Sequence, residues 1–281
     1  MPQPPNEDLW KALWTGEPPL PTHRKRGIYS RIPSSPRCRV CQAPFHGLGG
    51  WLLGLVGTRP STKNPAFCGV CEQFTRDFPG GAEVHLALLF ADLRGSTTLA
   101  EQMPPAEFKH RLDAFYATAT ATLIDADAYI DRLVGDQVVG LFMPGMAGPK
   151  YVLKAIHAAR ALVQTVTRQT GLGIGAGVHA GVAFVGTVEG TSGVGRDIAA
   201  VGDPVNTTAR LASAARAGEI LISADAIETS GYDPAGLEIR RLDLKGKAEA
   251  LKVHVLDISG VRESAGDPPD SSATDLSGPA P

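Results

Sequence analysis

The stretch from Val84 to Thr97, VHLALLFADLRGST, constrains the chain more than any other. It is almost wholly apolar until Asp92, where the run stops and the chain turns over Gly95. An apolar run of that length, closed by a glycine turn, reads as a central β-strand. Gly95-Ser96-Thr97-Thr98 then offers a turn residue and hydroxyl N-caps for a helix. A carboxylate at the tip of a buried strand, beside free N–H groups at a helix start, can hold a metal ion and a phosphate together. Asp92 could equally do no more than cap that helix.

The segments that follow supply partners for this strand. A helix runs from Thr97 through Glu101 and breaks at Pro104-Pro105. A second carries Phe108, Leu112, Phe115, Ala119 and Leu123 on one face. Tyr129 to Phe142 reads as two strands meeting at a Gly135-Asp136 turn, with Pro144-Gly145 ending the second. Val152, Ala155, Ile156, Ala159, Leu162, Val163 and Val166 mark a further amphipathic helix. Gly173 to Gly186 alternates small and apolar residues, as strands do where backbones approach closely; His179 within it reads as a packed, hydrogen-bonded histidine. Residues 189–196 form a Gly-rich loop, and Asp203-Pro204 opens a helix with Asn206 and Arg210 on one face. Glu219 to Ser223 is a strand, followed by a small helix and two strands around Lys245-Gly246-Lys247. The order is α+β: a ferredoxin-like βαββαβ core with a C-terminal βαββ-like extension, helices lying on one face of a mainly antiparallel sheet. In that plan Asp92 and Asp136 reach the same end of the sheet. Two carboxylates there repel unless one or two divalent cations lie between them, an arrangement suited to in-line displacement at phosphorus.

Ahead of this unit, residues 1–36 are Pro-rich, with a short helical island, Asp8 to Trp14, whose Leu9, Trp10, Leu13 and Trp14 share a face for docking on the chain's own surface. His23-Arg24-Lys25-Arg26 reads as a solvated linker. All four cysteines then fall within residues 37–73, as Cys38-x-x-Cys41 and Cys68-x-x-Cys71. Two such knuckles close a tetrahedral tetrathiolate site, which a small Gly- and Pro-rich module needs to stay folded. Structural Zn²⁺ is the first expectation and an Fe–S cluster the second. Residues 74–82 read as a connector, 84–257 as the catalytic unit, and 258–281, nearly devoid of apolar residues, as a disordered tail. Net charge is −2, with no secretory signal and no apolar stretch long enough to span a bilayer. The expected setting is the cytoplasm, with no membrane partner and no nucleic acid.

Four motifs, FADLRGST at 90–97, Val134-Gly135-Asp136, VGDPVNTTARL at 201–211 and Leu244-Lys245-Gly246-Lys247, resemble those of the class III nucleotidyl cyclase catalytic domain in order and spacing. The resemblance covers about residues 84–257; the four-cysteine module ahead of it is zinc-ribbon-like. It implies conversion of a nucleoside triphosphate to a 3′,5′-cyclic nucleotide and pyrophosphate, with two Mg²⁺ or Mn²⁺ ions, in a homodimer whose sites draw on both chains. Asp92 and Asp136 would be metal ligands from one chain. Asn206, orienting the ribose, and Arg210, stabilising charge at the α-phosphate, would come from the other. Lys245 would bind the terminal phosphates, the backbone at Leu93, Arg94, Gly95 and Ser96 would cradle them, and Arg196 is a further phosphate contact. Adenylyl cyclases carry a lysine where this chain has Arg132, and a carboxylate or threonine where it has Ala199. ATP is the first expectation for substrate, with GTP or a pyrimidine triphosphate as alternatives. A cyclase-like nucleotide sensor signalling through the cysteine module is the alternative of another class. A diguanylate cyclase ranks low, since its Gly-Gly-acid-acid-Phe hairpin is absent.

Overall fold

A computed structural model describes residues 6–17, 23–34, 36–55, 58–61, 65–188, 197–243 and 250–258. In chain order these form α1 (Glu7–Thr15), α2 (His23–Tyr29), α3 (Gly47–Gly54), α4 (Gly69–Asp77), β1 (Gly81–Leu93), α5 (Ser96–Gln102), α6 (Pro105–Asp125), β2 (Tyr129–Val134) and β3 (Gln137–Phe142). There follow α7 (Pro144–Ala147), α8 (Tyr151–Thr170), β4 (Ile174–Val188), β5 (Asp197–Val201), α9 (Asp203–Ala214), β6 (Glu219–Ser223), α10 (Ala224–Ser230), β7 (Glu238–Leu242) and β8 (Leu251–Asp257). The eight strands make one sheet in the order β2-β3-β1-β4-β6-β8-β7, with β5 paired to β4. Every pairing is antiparallel except β4 with β6. This is the expected α+β plan: β1 through β4 form the βαββαβ core, and β6-α10-β7-β8 the βαββ extension.

The apolar run of β1 reflects burial on both faces. Ala87, Leu89, Ala91 and Leu93 pack against Phe115, Ala119 and Leu123 of α6 and Ile156, Leu162 and Val163 of α8. Leu86, Leu88 and Phe90 point the other way, into a second core with Trp14 of α1, Phe67, Tyr129 and Leu141. The expectation of helices on one face is therefore corrected. The second face is covered by the N-terminal helix, the four-cysteine region and α9, with Trp10, Trp14, Phe67 and Ala212 buried against it. Trp14 is central to it: its Nε1 donates to Val185 O at 3.1 Å, and its ring meets Tyr129 edge-on at 6.0 Å and Phe67 at 6.5 Å.

Other local differences have clear causes. The basic run His23–Arg26 begins helix α2 rather than a linker, and α4 fills much of the connector, so that β1 starts at Gly81. Ile174–Gly186 belongs to one long strand, β4, whose small residues admit α9: a Cβ on Gly177 would lie 2.5 Å from Ala212 N. His179 is buried on that strand, its Nδ1 2.8 Å from Ser223 Oγ. Pro144 opens the short α7 instead of only ending β3, and the cap of α9 is Gly202, one residue before Asp203. The tail assigned to 258–281 lies outside the described residues except for Ile258.

Candidate active site

β1 and β3 pair with Asp92 opposite Gln137, which brings Asp92 beside the Gly135-Asp136 turn at one end of the sheet. The backbone reinforces the placement, because Leu93 N donates to Asp136 O at 3.1 Å and Arg94 N to Gly173 O at 2.8 Å. Both N–H groups are thereby committed. The donors left for an anion are those at the start of α5, where Gly95 is the cap (φ 70°) and no side chain caps the helix. The hydroxyl cap expected from the sequence is absent because Gly95 takes the cap position and Ser96 is the first helical residue; Ser96 Oγ donates to Asp136 Oδ2. Asp92 has its own local partner: Arg94 Nη2 donates to Asp92 Oδ2 at 2.7 Å, and Arg94 Nη1 to Ser213 O at 3.1 Å, tying the end of α9 to the tip of β1. Burial pushes the Asp92 carboxyl above its usual range; Arg94 opposes that shift and Asp136 adds to it. A divalent cation held there would reverse the balance for Asp92, since it would favour the charged carboxylate. Tyr116 of α6, unremarkable in sequence, donates to Gly135 O at 2.5 Å and braces the turn.

α9 presents Asn206, exposed, and Arg210, half-buried. Neither side chain makes a hydrogen bond or ion pair among the described residues. Arg132 and Ala199 lie near each other, joined by a residue that sequence reasoning passed over. A bulge between Ile130 and Arg132 in the β2–β3 ladder sends the neighbouring side chains in different directions. Asp131 turns inward, with 2% of its side chain exposed, and accepts from Ala200 N at 3.2 Å. Arg132 stays 45% exposed, and its Nε donates to Asp131 Oδ2 at 2.6 Å. Burial raises the Asp131 carboxyl, against the pull of Arg132. Nothing in the residue pattern marks a bulge here, so the pair was not legible. Arg196 and Lys245 lie outside the described residues.

The whole of residues 82–257 matches the adenylate and guanylate cyclase catalytic domain. The chain belongs to that family. Among solved structures, this cyclase domain is similar to the guanylyl cyclase Cya2, with a TM-score of 0.58 and 24% identity over 63% of this chain and 93% of that one. It is also similar to the adenylyl cyclase CyaB from P. aeruginosa, with a TM-score of 0.55 and 25% identity over 63% of this chain and 96% of that one. An adenylate cyclase of Anabaena cylindrica is 29% identical over 188 residues, which is 60% of this chain and 36% of that protein. The chain thus spans little more than a third of that relative's length.

A second constellation lies ahead of the cyclase domain. Cys38, Cys41, Cys68 and Cys71 are all buried, form no disulfide, and bring their sulfurs within 4.8 Å of one another. Cys41 and Cys68 Sγ are 3.7 Å apart, and Cys68 N donates to Cys38 Sγ at 3.3 Å. A tetrahedral ion with metal–sulfur bonds of about 2.3 Å needs sulfurs about 3.8 Å apart, so the donor set fits a single metal ion. The four thiols perturb one another in both directions: hydrogen bonds from the neighbouring thiols, with burial, hold Cys71 above the usual thiol range, while those to Cys68 hold it below.

Proposed function

We propose that the protein is a nucleotidyl cyclase, converting a nucleoside triphosphate to its 3′,5′-cyclic monophosphate and pyrophosphate. The observation that carries this reading is the meeting of Asp92 and Asp136 at the sheet end, beside an uncapped helix start. Asp92 and Asp136 would hold divalent ions, which when bound would supply acidity toward the ribose 3′-hydroxyl and charge toward the leaving pyrophosphate. The 3′-oxygen attacks the α-phosphorus, the bond to the β-phosphate oxygen breaks, and the hydroxyl proton leaves to solvent. Asn206 orients the ribose and Arg210 offsets charge building at the α-phosphate. The N–H groups from Gly95 onward, with Lys245 and Arg196, hold the phosphates.

Two features support a homodimer with shared sites. Asn206 and Arg210 have no partner in their own chain among the described residues. Val182 on β4 and Val201 on β5, which pairs with Phe184 two residues along the same face, are more than half exposed (56% and 53%), apolar side chains of the kind a second copy covers. The short sulfur–sulfur spacing supports one zinc ion in the cysteine cluster, because an Fe–S cluster would hold the thiolates apart around its own volume. We take residues 37–73 as a metal-stapled module serving the cyclase domain.

The decisive experiment incubates the purified protein with Mn²⁺ and each of the four ribonucleoside triphosphates. Cyclic product and pyrophosphate in equal amounts are expected from at least one. No product from any, with metal shown to be bound, overturns the reading in favour of a nucleotide sensor.

ATP remains the starting substrate, and the Asp131–Arg132 pair favours GTP as a second reading. Fixed through Nε, Arg132 offers its terminal N–H groups, which match the adjacent O6 and N7 acceptors of guanine. Asp131 has both oxygens engaged, and Ala199 supplies no acceptor for an amino group. Asp131→Asn is expected to reduce discrimination between the purine triphosphates by about tenfold in kcat/KM, with a smaller change in kcat on the better substrate. Steady-state kinetics with both purines checks it; unchanged discrimination removes Asp131 from base selection.

A further inference from the structure

The net charge of −2 conceals a strong segregation. Between Pro18 and Cys71 the chain carries eight lysines and arginines and no aspartate or glutamate. Two of these cations have structural work. Arg37 donates to the carbonyls of Tyr29 and Ser34, and Arg39 pairs with Asp127. Lys25, Arg26, Arg31 and Arg59 have no carboxylate partner among the described residues, and all but the half-buried Arg26 are exposed.

The same region carries α3, GLGGWLLG. Its glycine side lies against the module: a Cβ on Gly49 would meet Ile32 Cγ2, and one on Gly50 the backbone of Phe45. That packing turns the large side chains outward. Leu48 is 84% exposed, Trp51 67%, Leu52 57% and Leu55 67%, with Ile28 of α2 at 63%. Contact through Ile32 sets the end of α2, with Arg31, beside α3, and Arg59 lies against Gly54 at the end of the helix.

We propose that α3 and the cations around it form a peripheral docking surface for an anionic lipid bilayer. Leucines and a tryptophan projecting from a short helix suit the headgroup–acyl boundary, where tryptophan favours its amphipathic position. So few apolar side chains bind a membrane only marginally alone, and an adjacent basic cluster attracted to anionic headgroups supplies the second signal that stable association needs. Charge selects among occupants. A second copy seated through the same segment would set cations against cations and repel. A nucleic acid would satisfy the cations but leave the leucines in water. The expectation of no membrane partner rests on net charge, which averages over this segregation, and on the lack of a spanning stretch, which a peripheral surface does not need. The α3 surface does not depend on the cyclase reading, and its test needs no turnover.

Trp51 provides the readout. Of the chain's three tryptophans, Trp10 and Trp14 are buried, at 3% and 0% exposure, so Trp51 alone faces solvent. Full-length protein is mixed with phosphatidylcholine vesicles, or with vesicles in which a third of the lipid is phosphatidylserine. Expected results are co-sedimentation with the anionic vesicles, a blue shift of emission, protection from acrylamide quenching, and release at high salt. Leu52→Glu/Leu55→Glu is expected to bind at least tenfold more weakly while keeping one metal per chain. Trp51→Phe should sediment but lose the spectral change. The proposal is overturned if anionic vesicles fail to pellet the protein, or if the double variant pellets like wild type. It is also overturned if duplex DNA protects Trp51 better than the vesicles do, or if Trp51 is protected by self-association without lipid.

Discussion

Asp92→Ala and Arg210→Ala, each inactive alone, are expected to regain about a quarter of the wild-type rate when mixed and allowed to exchange subunits. Each single change removes a charge placed for the transition state, and such a loss costs roughly 100- to 1000-fold in rate. Random exchange makes about half of the dimers mixed, and each mixed dimer holds one whole site of two, hence the quarter. In the whole site Asp92 comes from the chain carrying Arg210→Ala, and Arg210 from the chain carrying Asp92→Ala. The result separates two geometries that both have support. Asn206 and Arg210 make no side-chain hydrogen bond or ion pair among the described residues, as fits shared sites. Yet Arg94 already ties the end of α9 to the tip of β1 within one chain, through Ser213 O at 3.1 Å. No recovery in a dimer shown to be mixed, by differential tagging, would assign both halves of the site to a single chain.

What could be read in advance follows the physics of each signal. β1 was legible because burial on both faces writes an uninterrupted apolar run. α6 and α8 were legible because one buried face writes a helical period. The approach of Asp92 to Asp136 followed from topology alone, since a βαββαβ order sets the hairpin beside the first strand. Three things were not legible. The second face of the sheet is covered by Trp14 and Phe67, whose sequence distance from Tyr129 leaves no periodic trace. Ser96 lies just inside α5, with Gly95 at the cap, and donates to Asp136, a contact with a distant residue that local propensity does not decide. The bulge at Asp131 has no glycine to announce it, so the one buried carboxylate beside Arg132 appears only in three dimensions. Each of the three depends on a pairing between distant residues, and single-segment patterns are blind to such pairings.

Those long-range pairings also make the cysteine cluster matter to the cyclase domain. Cys68→Ser is expected to lose the bound metal, unfold the region around α3 and α4, and lower cyclase activity together with stability. Structural tetrathiolate sites contribute on the order of 10 kcal/mol of apparent binding energy at neutral pH, so losing one ligand exceeds the margin of a small module. The consequence spreads because the cluster is not insulated. Phe67, adjacent to Cys68, stacks on Trp14 and lies 5.5 Å from Tyr129, the first residue of β2. Arg39, between Cys38 and Cys41, pairs with Asp127, which Lys154 of α8 also holds at 2.5 Å. Both links end on the approach to β2, the strand that carries Asp131 and Arg132 and leads to Asp136. Loosening them exposes Trp10 and Trp14 and frees β2 to shift. The measurements are metal per chain by elemental analysis, tryptophan emission, which should move to the red, and cyclase rate on the same preparation. The emission change separates this account from one in which the cysteines act independently of the sheet. A variant that loses its metal but keeps Trp14 buried and the rate intact would show that β2 is held by its own hairpin and that the module is only attached.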